Sequence, residues 1–405
     1  MEKLPKPIKY PHLCRPKNQG LRIHIHGRGS ISAAGQHPVA AWETYLSGQP
    51  TWKKTPDASL PVYPVEPDPN APAYRYAAER KHGRTAMLAI MAAEQAVREA
   101  GWEDQDFAIL VGCSRGPTGE WEKHFTEFSA TGRLETRTSP STTLGSIGFA
   151  LGEYFGNRSL ASSLSVTCSS GMHALLHGIA LLEAGMADRV LVGGAEAPLT
   201  AFTLQQMQAL RIYATRPAAG QHACTPLAKT PSGMVIGEGA AFLALSRLPR
   251  HLPSGPNLSN TLPSITGLGF SRESGKTATG ISPEGDGLLA AMKMATDGRH
   301  LPDLIIAHAP GTPKGDAAEI RAVRKLWKNV PGDPALTSLK WATGHTFGAS
   351  GPLALDAAIS MMVHQKAIYL PYPNYMNTPW ALGAVMVNAT GFGGNAVSVR
   401  LEMKP

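Results

Sequence analysis

The chain has 405 residues, 43% hydrophobic and only 17% charged, which excludes a disordered chain or a disulfide-held miniature and allows two or three domains or one large duplicated one. Its excess of eight positive charges permits an acidic partner, yet the basic residues are scattered with no aromatic interleaving, which argues against nucleic acid. The 42 glycines and 33 prolines follow no period and predict many tight turns, while Cys14, Cys113, Cys168 and Cys224 lie too far apart for a zinc motif and read as free thiols.

At the start, Lys3, Lys6, Lys9, Arg15 and Lys17 are followed by no apolar stretch that could serve as a signal peptide. No run approaches the roughly 18 apolar residues of a membrane span, so the chain reads as soluble and cytoplasmic. From Ala77 to Ala100, charges fall on one side of an alanine-rich pattern, which predicts a surface helix. Phe107 to Val111 is a short apolar strand ending at Gly112 and Cys113. Leu160 to Val166 is a second strand, leading to Cys168. No Asp, Glu, Lys or Arg occurs between Arg158 and Glu183, so the helix after Cys168 is expected to be buried all round. Arg189 to Val192 is a third strand.

Pro249 to Pro263 is crowded with loop formers and marks a boundary between halves, 1–250 and 260–405. Beyond it the same order returns. Leu304 to Ala307 ends in His308, Leu336 to Leu339 leads through Thr343 and Gly344 to His345, and Ala384 to Val387 precedes NATGFGGN. Three strand, loop, helix units recurring in one order predict duplicated α/β halves with mostly parallel central strands.

Cys168 taken alone reads as a small core residue. Its position between a strand and a helix, beside Ser169, Ser170 and Gly171, instead suits a nucleophile whose thiolate the helix end favours. His308 and His345 both end apolar runs, where open α/β sheets place their ligand crevices. They come from separate strand ends without short ligand spacing, so no metal is expected. Gly391, Phe392 and Gly393 form a glycine-rich turn able to present amides to a developing oxyanion.

Together these segments resemble the elongating β-ketoacyl-acyl carrier protein synthases of the thiolase superfamily. The resemblance runs from IHIHGRGSISAAG and YLSGQPTW through SVTCSSGMHALLHG, VIGEGAAFLALSRL and ISPEGDGLLAAM. It continues through AHAPGTPKGDAAEIRAV and SLKWATGHTFGASG to GFGGNA. It implies a thiolase-like fold with two duplicated halves in layered α-β-α-β-α packing. It implies Cys168 as the acylated nucleophile and His308 and His345 as the condensing pair. Lys340 would order the histidine region with Glu319 as its carboxylate partner. Phe392 would gate the site between Gly391 and Gly393, its N–H joining that of Cys168 as the oxyanion hole, and Thr312 would bind the phosphopantetheine arm. The implied partners are an acyl carrier protein and a second ketosynthase chain, as homodimer or heterodimer, with no cofactor beyond the carrier's arm. Three departures stand out: Pro310 replaces an arm-binding threonine, Thr167 replaces the alanine before the nucleophile, and Thr230 to Gly233 replaces an Asp-Gly pair. These point to a specialised polyene, polyketide or other secondary pathway. The rival reading is a non-catalytic chain-length-factor-like subunit, although such partners lack the nucleophile that Cys168 supplies.

Overall fold

The computed structural model describes residues 18, 20–55, 60–214, 217–218, 220–248, 262–273, 282–297, 300–328, 330, 334–374, 379 and 381–403. The first half opens on β1 (Ile23–Ser32), α1 (Pro38–Ser47), β2 (Lys53–Lys54), β3 (Pro61–Val62), α2 (Pro72–Glu79) and α3 (Arg84–Ala100). It continues through β4 (Ala108–Gly112), α4 (Thr118–Thr131), α5 (Thr138–Thr142), α6 (Ser146–Phe155) and β5 (Ala161–Leu164). It closes with α7 (Ser170–Glu183), β6 (Arg189–Glu196), α8 (Ala201–Ala209) and β7 (Gly239–Ser246). The second half holds β8 (Ser264–Arg272), α9 (Asp286–Thr296), β9 (Leu304–Ile306), α10 (Pro313–Leu326), β10 (Leu336–Thr337) and α11 (Lys340–Thr343). A 3-10 turn (Phe347–Ala349) then leads into α12 (Ser350–His364), β11 (Ala384–Thr390) and β12 (Asn395–Glu402).

The main sheet has ten strands in the order β10-β9-β11-β12-β8-β1-β7-β6-β4-β5. Its joint between β8 and β1 is short, pairing Ile23 with Ile265 and His24 with Ser264, so the sheet is two five-stranded leaves. In the first leaf β5, β4 and β6 run parallel, and β7 and β1 run antiparallel. In the second, β10, β9 and β11 run parallel, and β12 and β8 antiparallel. The duplication therefore extends beyond the three expected units to include the pairs β1/β8 and β7/β12. The composition boundary at Pro249 to Pro263 falls largely on residues 249–261, outside the described residues.

Helices α3 and α6 cover the outer face of the first leaf, and α9 packs on that of the second with α10 beside it. Between the leaves lie α7 and α12, which touch each other, and α12 reaches strands of both leaves. This is the α-β-α-β-α layering the resemblance implied. Two helix expectations are corrected. The segment Ala77 to Ala100 is not one helix: Lys81 takes a left-handed φ of 55°, and the chain restarts as α3 after the extended Gly83. The all-round buried helix is α12, covered at every residue from Ser350 to Met362, whereas α7 leaves His177, Ala180 and Glu183 exposed. Those exposed positions share one side of α7, so an uncharged sequence does not by itself guarantee burial. No helix among the described residues is long and apolar enough to cross a membrane.

Each half brings a strand and a helix together backbone to backbone. A Cβ on Gly27 or Gly29 of β1 would lie 2.2 Å from the Ala96 carbonyl or 2.1 Å from that of Ala92 on α3. On β8, Gly267 and Gly269 repeat this at 2.0 Å from Ala295 O and 1.9 Å from Ala291 O on α9. Only glycine fits such an approach. Gly269→Ala should force β8 and α9 apart and cost about 1–3 kcal/mol or more. A thermal unfolding midpoint unchanged from the parent would refute this packing.

Candidate active site

Cys168 sits on the turn between β5 and α7. The residue before it, Thr167, holds a left-handed φ of 50°, a conformation that a β-branched side chain seldom takes. Neighbouring serines brace the turn. The Ser170 hydroxyl accepts from Val166 N at 2.9 Å and donates to Thr167 O at 2.5 Å, and Ser169 Oγ donates to Val166 O at 2.9 Å. This sharp turn aims the sulfur into a cavity of about 640 Å³ instead of into the helix layer.

The same cavity is lined by His308, His345, Thr312, Glu319, Gly391 and Phe392, so the second half brings both rings to the thiol of the first. The imidazoles face each other edge to plane, centroids 5.2 Å apart and planes at 81°. His308 follows β9, and its loop is clamped from below. The Glu319 carboxylate accepts from His308 N at 3.0 Å, Ala309 N at 2.8 Å and Asn388 Nδ2 at 3.0 Å. Lys340 Nζ donates to the His308 carbonyl oxygen. Glu319 and Lys340 thus hold one loop from two sides, and no ion pair joins them directly among the described residues.

His345 is fixed through its backbone and its ring. Its N–H donates to Val235 O at 2.7 Å, and its carbonyl accepts from Gly237 N at 3.1 Å, tying it to the first half. Phe347 N–H donates to His345 Nδ1 at 3.1 Å, with Ser350 Oγ 3.2 Å from the same nitrogen. An accepting Nδ1 places the ring proton of the neutral form on Nε2, the nitrogen free to meet a substrate. Burial, helped by the Lys340 charge, pulls both histidines well below the usual imidazole range, so both rings are neutral donors.

The nucleophile's electrostatics differ from expectation. Burial pushes the Cys168 thiol up to about 12 and Glu196 adds to this, while Lys340, a backbone N–H and Arg115 pull it down. The helix end therefore does not leave the sulfur as a resting thiolate.

The glycine-rich turn meets the nucleophile directly. A Cβ on Gly391 would lie 2.1 Å from Thr167 Oγ1 and 2.9 Å from Cys168 N. Thr167 Oγ1 donates to Phe392 O at 3.1 Å, so the Thr167 hydroxyl anchors the Phe392 turn. Gly393 takes a left-handed φ of 86°, which turns the chain back toward β12. Thr312 stands at the amino end of α10 on the cavity wall, beside Pro310.

Several participants escaped the sequence reading. Asp316 is buried beside Glu319 on α10 and accepts from Leu227 N at 2.8 Å and Gly311 N at 3.0 Å. Burial pushes it up to about 7. Its spacing of three from Glu319 on one helix was the available signal. Asn388, Phe347 and the wall residues Met207, Ile212 and Met234 carried none, since their roles depend on tertiary placement.

The family "Beta-ketoacyl synthase, N-terminal domain" matches residues 22–251, and "Beta-ketoacyl synthase, C-terminal domain" matches residues 262–371. The chain is 25% identical over 366 residues to 3-oxoacyl-[acyl-carrier-protein] synthase 2 of Staphylococcus aureus (strain MRSA252), covering 85% of this chain and 86% of that protein. It is 27% identical over 307 residues to Nodulation protein E of Rhizobium sp. (strain N33), covering 72% of each. Among solved structures, the ketosynthase ApeO in complex with its chain length factor ApeC from Xenorhabdus doucetiae superposes with a TM-score of 0.77 at 22% identity, covering 95% of this chain and 98% of that one. A β-ketoacyl synthase from Burkholderia phymatum STM815 gives 0.78 at 22% identity, covering 95% and 100%.

A thiol held up to about 12 makes a clear prediction. Iodoacetamide alkylation of Cys168 should climb about tenfold per pH unit from about pH 7 to about pH 10. Lys340→Met, which removes a charge favouring the thiolate, should slow it at every pH. A plateau below about pH 9 would show instead that the thiolate is already formed.

Proposed function

The chain belongs to the β-ketoacyl synthase family and is a condensing acyltransferase, and from that premise we propose that it acts as a 3-oxoacyl-[acyl carrier protein] synthase. The observation that carries this reading is the single cavity shared by Cys168, His308 and His345. The Cys168 sulfur attacks the thioester carbonyl of an acyl chain delivered on a carrier's phosphopantetheine arm. Its proton leaves with the released carrier thiol. The N–H groups of Cys168 and Phe392, on adjoining turns, would receive the oxyanion, a contribution of about 10² to 10³ in rate per donor.

A malonyl thioester then takes the carrier's place and loses CO₂. Its enolate oxygen accepts hydrogen bonds from His308 and from Nε2 of His345. Neutral rings suit this role, because each still carries one ring N–H to donate to the oxygen. The carbanion attacks the acyl-cysteine carbonyl, the C–S bond breaks with its electron pair going to sulfur, and the thiolate takes up a proton from solvent as the 3-oxoacyl thioester departs. Apolar walls of buried Met207, Met234 and Phe347 and half-buried Ile212 keep water from the acyl-enzyme.

Lys314 and Arg321 on the cavity lining would serve the acidic carrier, and no further cofactor is needed. Trp121, Phe125 and Phe128 on α4, with Phe149 and Leu160 near the open edge of β5, are exposed apolar residues that support pairing with a second chain. Such pairing is expected as a homodimer or as a ketosynthase heterodimer in the cytoplasm. Thr167 and Pro310 favour a specialised polyketide or secondary lipid pathway over housekeeping synthesis. A role as a silent partner subunit is opposed by the intact thiol and paired rings.

The test is mass spectrometry of the protein with acyl-carrier and malonyl-carrier substrates. Acylation should appear on Cys168 alone. His308→Ala and His345→Ala should keep acylation while losing condensation by about 10² to 10³. A wild-type protein that never acquires the acyl mass is the silent partner and not the enzyme.

A further inference from the structure

Glu196 takes no part in the chemistry above, yet it is fully buried at the end of β6, behind the nucleophile turn. Its carboxylate accepts from the backbone amides of Ser114, of Arg115 at 3.3 Å and of Gly348 at 3.1 Å, and the Cys113 thiol bonds to it as well. Ser114 and Arg115 belong to the turn after β4 in the first half. Gly348 belongs to the 3-10 turn of the second half, next to Phe347, whose amide fixes the His345 ring. Gly348 also abuts the nucleophile helix: a Cβ on it would lie 3.1 Å from Ser170 Cβ and 2.9 Å from Glu196 Oε1. One carboxylate thus ties the turn after β4 to the 3-10 turn beside His345, and the turn after β4 in turn holds the segment leading to Cys168, Ser165 Oγ donating to Ser114 O at 3.2 Å.

We propose that Glu196 is a positioning residue of the condensing site, clamping the His345 turn to the turn after β4 that backs the nucleophile turn, while its charge acts on Cys168. The inference rests on the synthase reading. A purely structural brace would be satisfied by neutral groups, whereas here a carboxylate is kept in the interior with backbone donors aimed at it. The charged and titratable groups around it are Cys113 and Arg115 from the β4 turn and Cys168 from the nucleophile turn. Lys340 acts on the same thiol. Burial pushes Glu196 up to about 7, and its charge in turn raises Cys168. The clamp therefore restrains the free thiol's reactivity while it holds the geometry needed for condensation.

The experiment uses the full chain with two readouts: condensation from carrier-bound substrates, and the pH profile of Cys168 alkylation by iodoacetamide. In Glu196→Gln, alkylation at about pH 8 should rise severalfold because the negative charge is gone. Condensation should fall about tenfold or more, because the new amide turns a donor toward the Arg115 N–H. Glu196→Asp keeps the charge but is one methylene short, so its alkylation profile should match the parent while condensation falls. The proposal is overturned if Glu196→Gln leaves both readouts within about twofold of the parent, or if both fall together. Should these variants not fold, Cys113→Ala removes one donor to the carboxylate, favours its neutral form and should speed alkylation near pH 7; an unchanged rate there overturns the proposal. A parent protein that alkylates as described but never condenses would sink the synthase reading instead, so the two failures are distinct.

Discussion

The site depends on how closely two backbones can approach at the centre of the molecule. A Cβ on Gly171, in the first turn of α7, would lie 2.4 Å from Gly348 O and 2.5 Å from Pro352 Cγ. A Cβ on Gly194 of β6 would meet the same Gly348 carbonyl at 2.4 Å. The nucleophile helix, the end of β6 and the 3-10 turn after His345 therefore share one glycine-lined seam. Any side chain there would force the nucleophile helix, β6 and the 3-10 turn apart, and with them Cys168 and His345. The seam also explains why residues from distant parts of the chain need no flexible element to meet.

Within that frame, the electrostatics set an uncharged thiol and two uncharged rings over a charged foundation. The reacting groups are kept uncharged: burial lowers both imidazoles and raises the thiol. The charges sit one layer below, where Glu319 grips the amides of His308 and Ala309 and Lys340 grips the His308 carbonyl. Buried charges are stabilising only when their hydrogen bonds are satisfied, and here the partners are backbone groups of the catalytic loop. The foundation therefore sets position as well as potential. Burial lowers Lys340, but the Glu319 carboxylate, the largest opposing influence, works against that shift from the other side of the His308 loop.

Much of this architecture was legible in the sequence, for definable reasons. Strands ending in Cys168, His308 and His345 announce themselves because apolar runs broken by small or polar residues leave few alternatives. The repeat of three units was visible because each pairs a strand with a crossover helix. The antiparallel strands β1 and β8 were hidden, since their signature is an alternation of glycines matched to alanines four apart on a helix in another part of the chain. Glu196 was hidden for a related reason. A lone carboxylate in an apolar stretch looks the same whether it faces solvent or gathers backbone amides, and only the fold decides. The thiol's electrostatics were misread because a helix end is visible in sequence, while the depth of burial that outweighs it is not.

The departures at Pro310 and Thr167 gain a physical meaning once the loops are placed. Pro310 has no N–H and no hydroxyl, and its carbonyl is taken up by the Cys224 thiol at 3.6 Å. Gly311 N is taken by Asp316, so the loop that would carry a pantetheine arm is rigid and internally satisfied, with Thr312 as its remaining hydroxyl on the cavity wall. On the opposite side, the Thr167 hydroxyl bonds the Phe392 carbonyl across the nucleophile turn. On the proposed reading, Pro310 offers no hydroxyl where the arm would enter, and Thr167 offers one beside the turn where the acyl carbonyl would be held. The Phe392 turn is tethered as a result, and its opening must break a hydrogen bond that alanine at position 167 could not make.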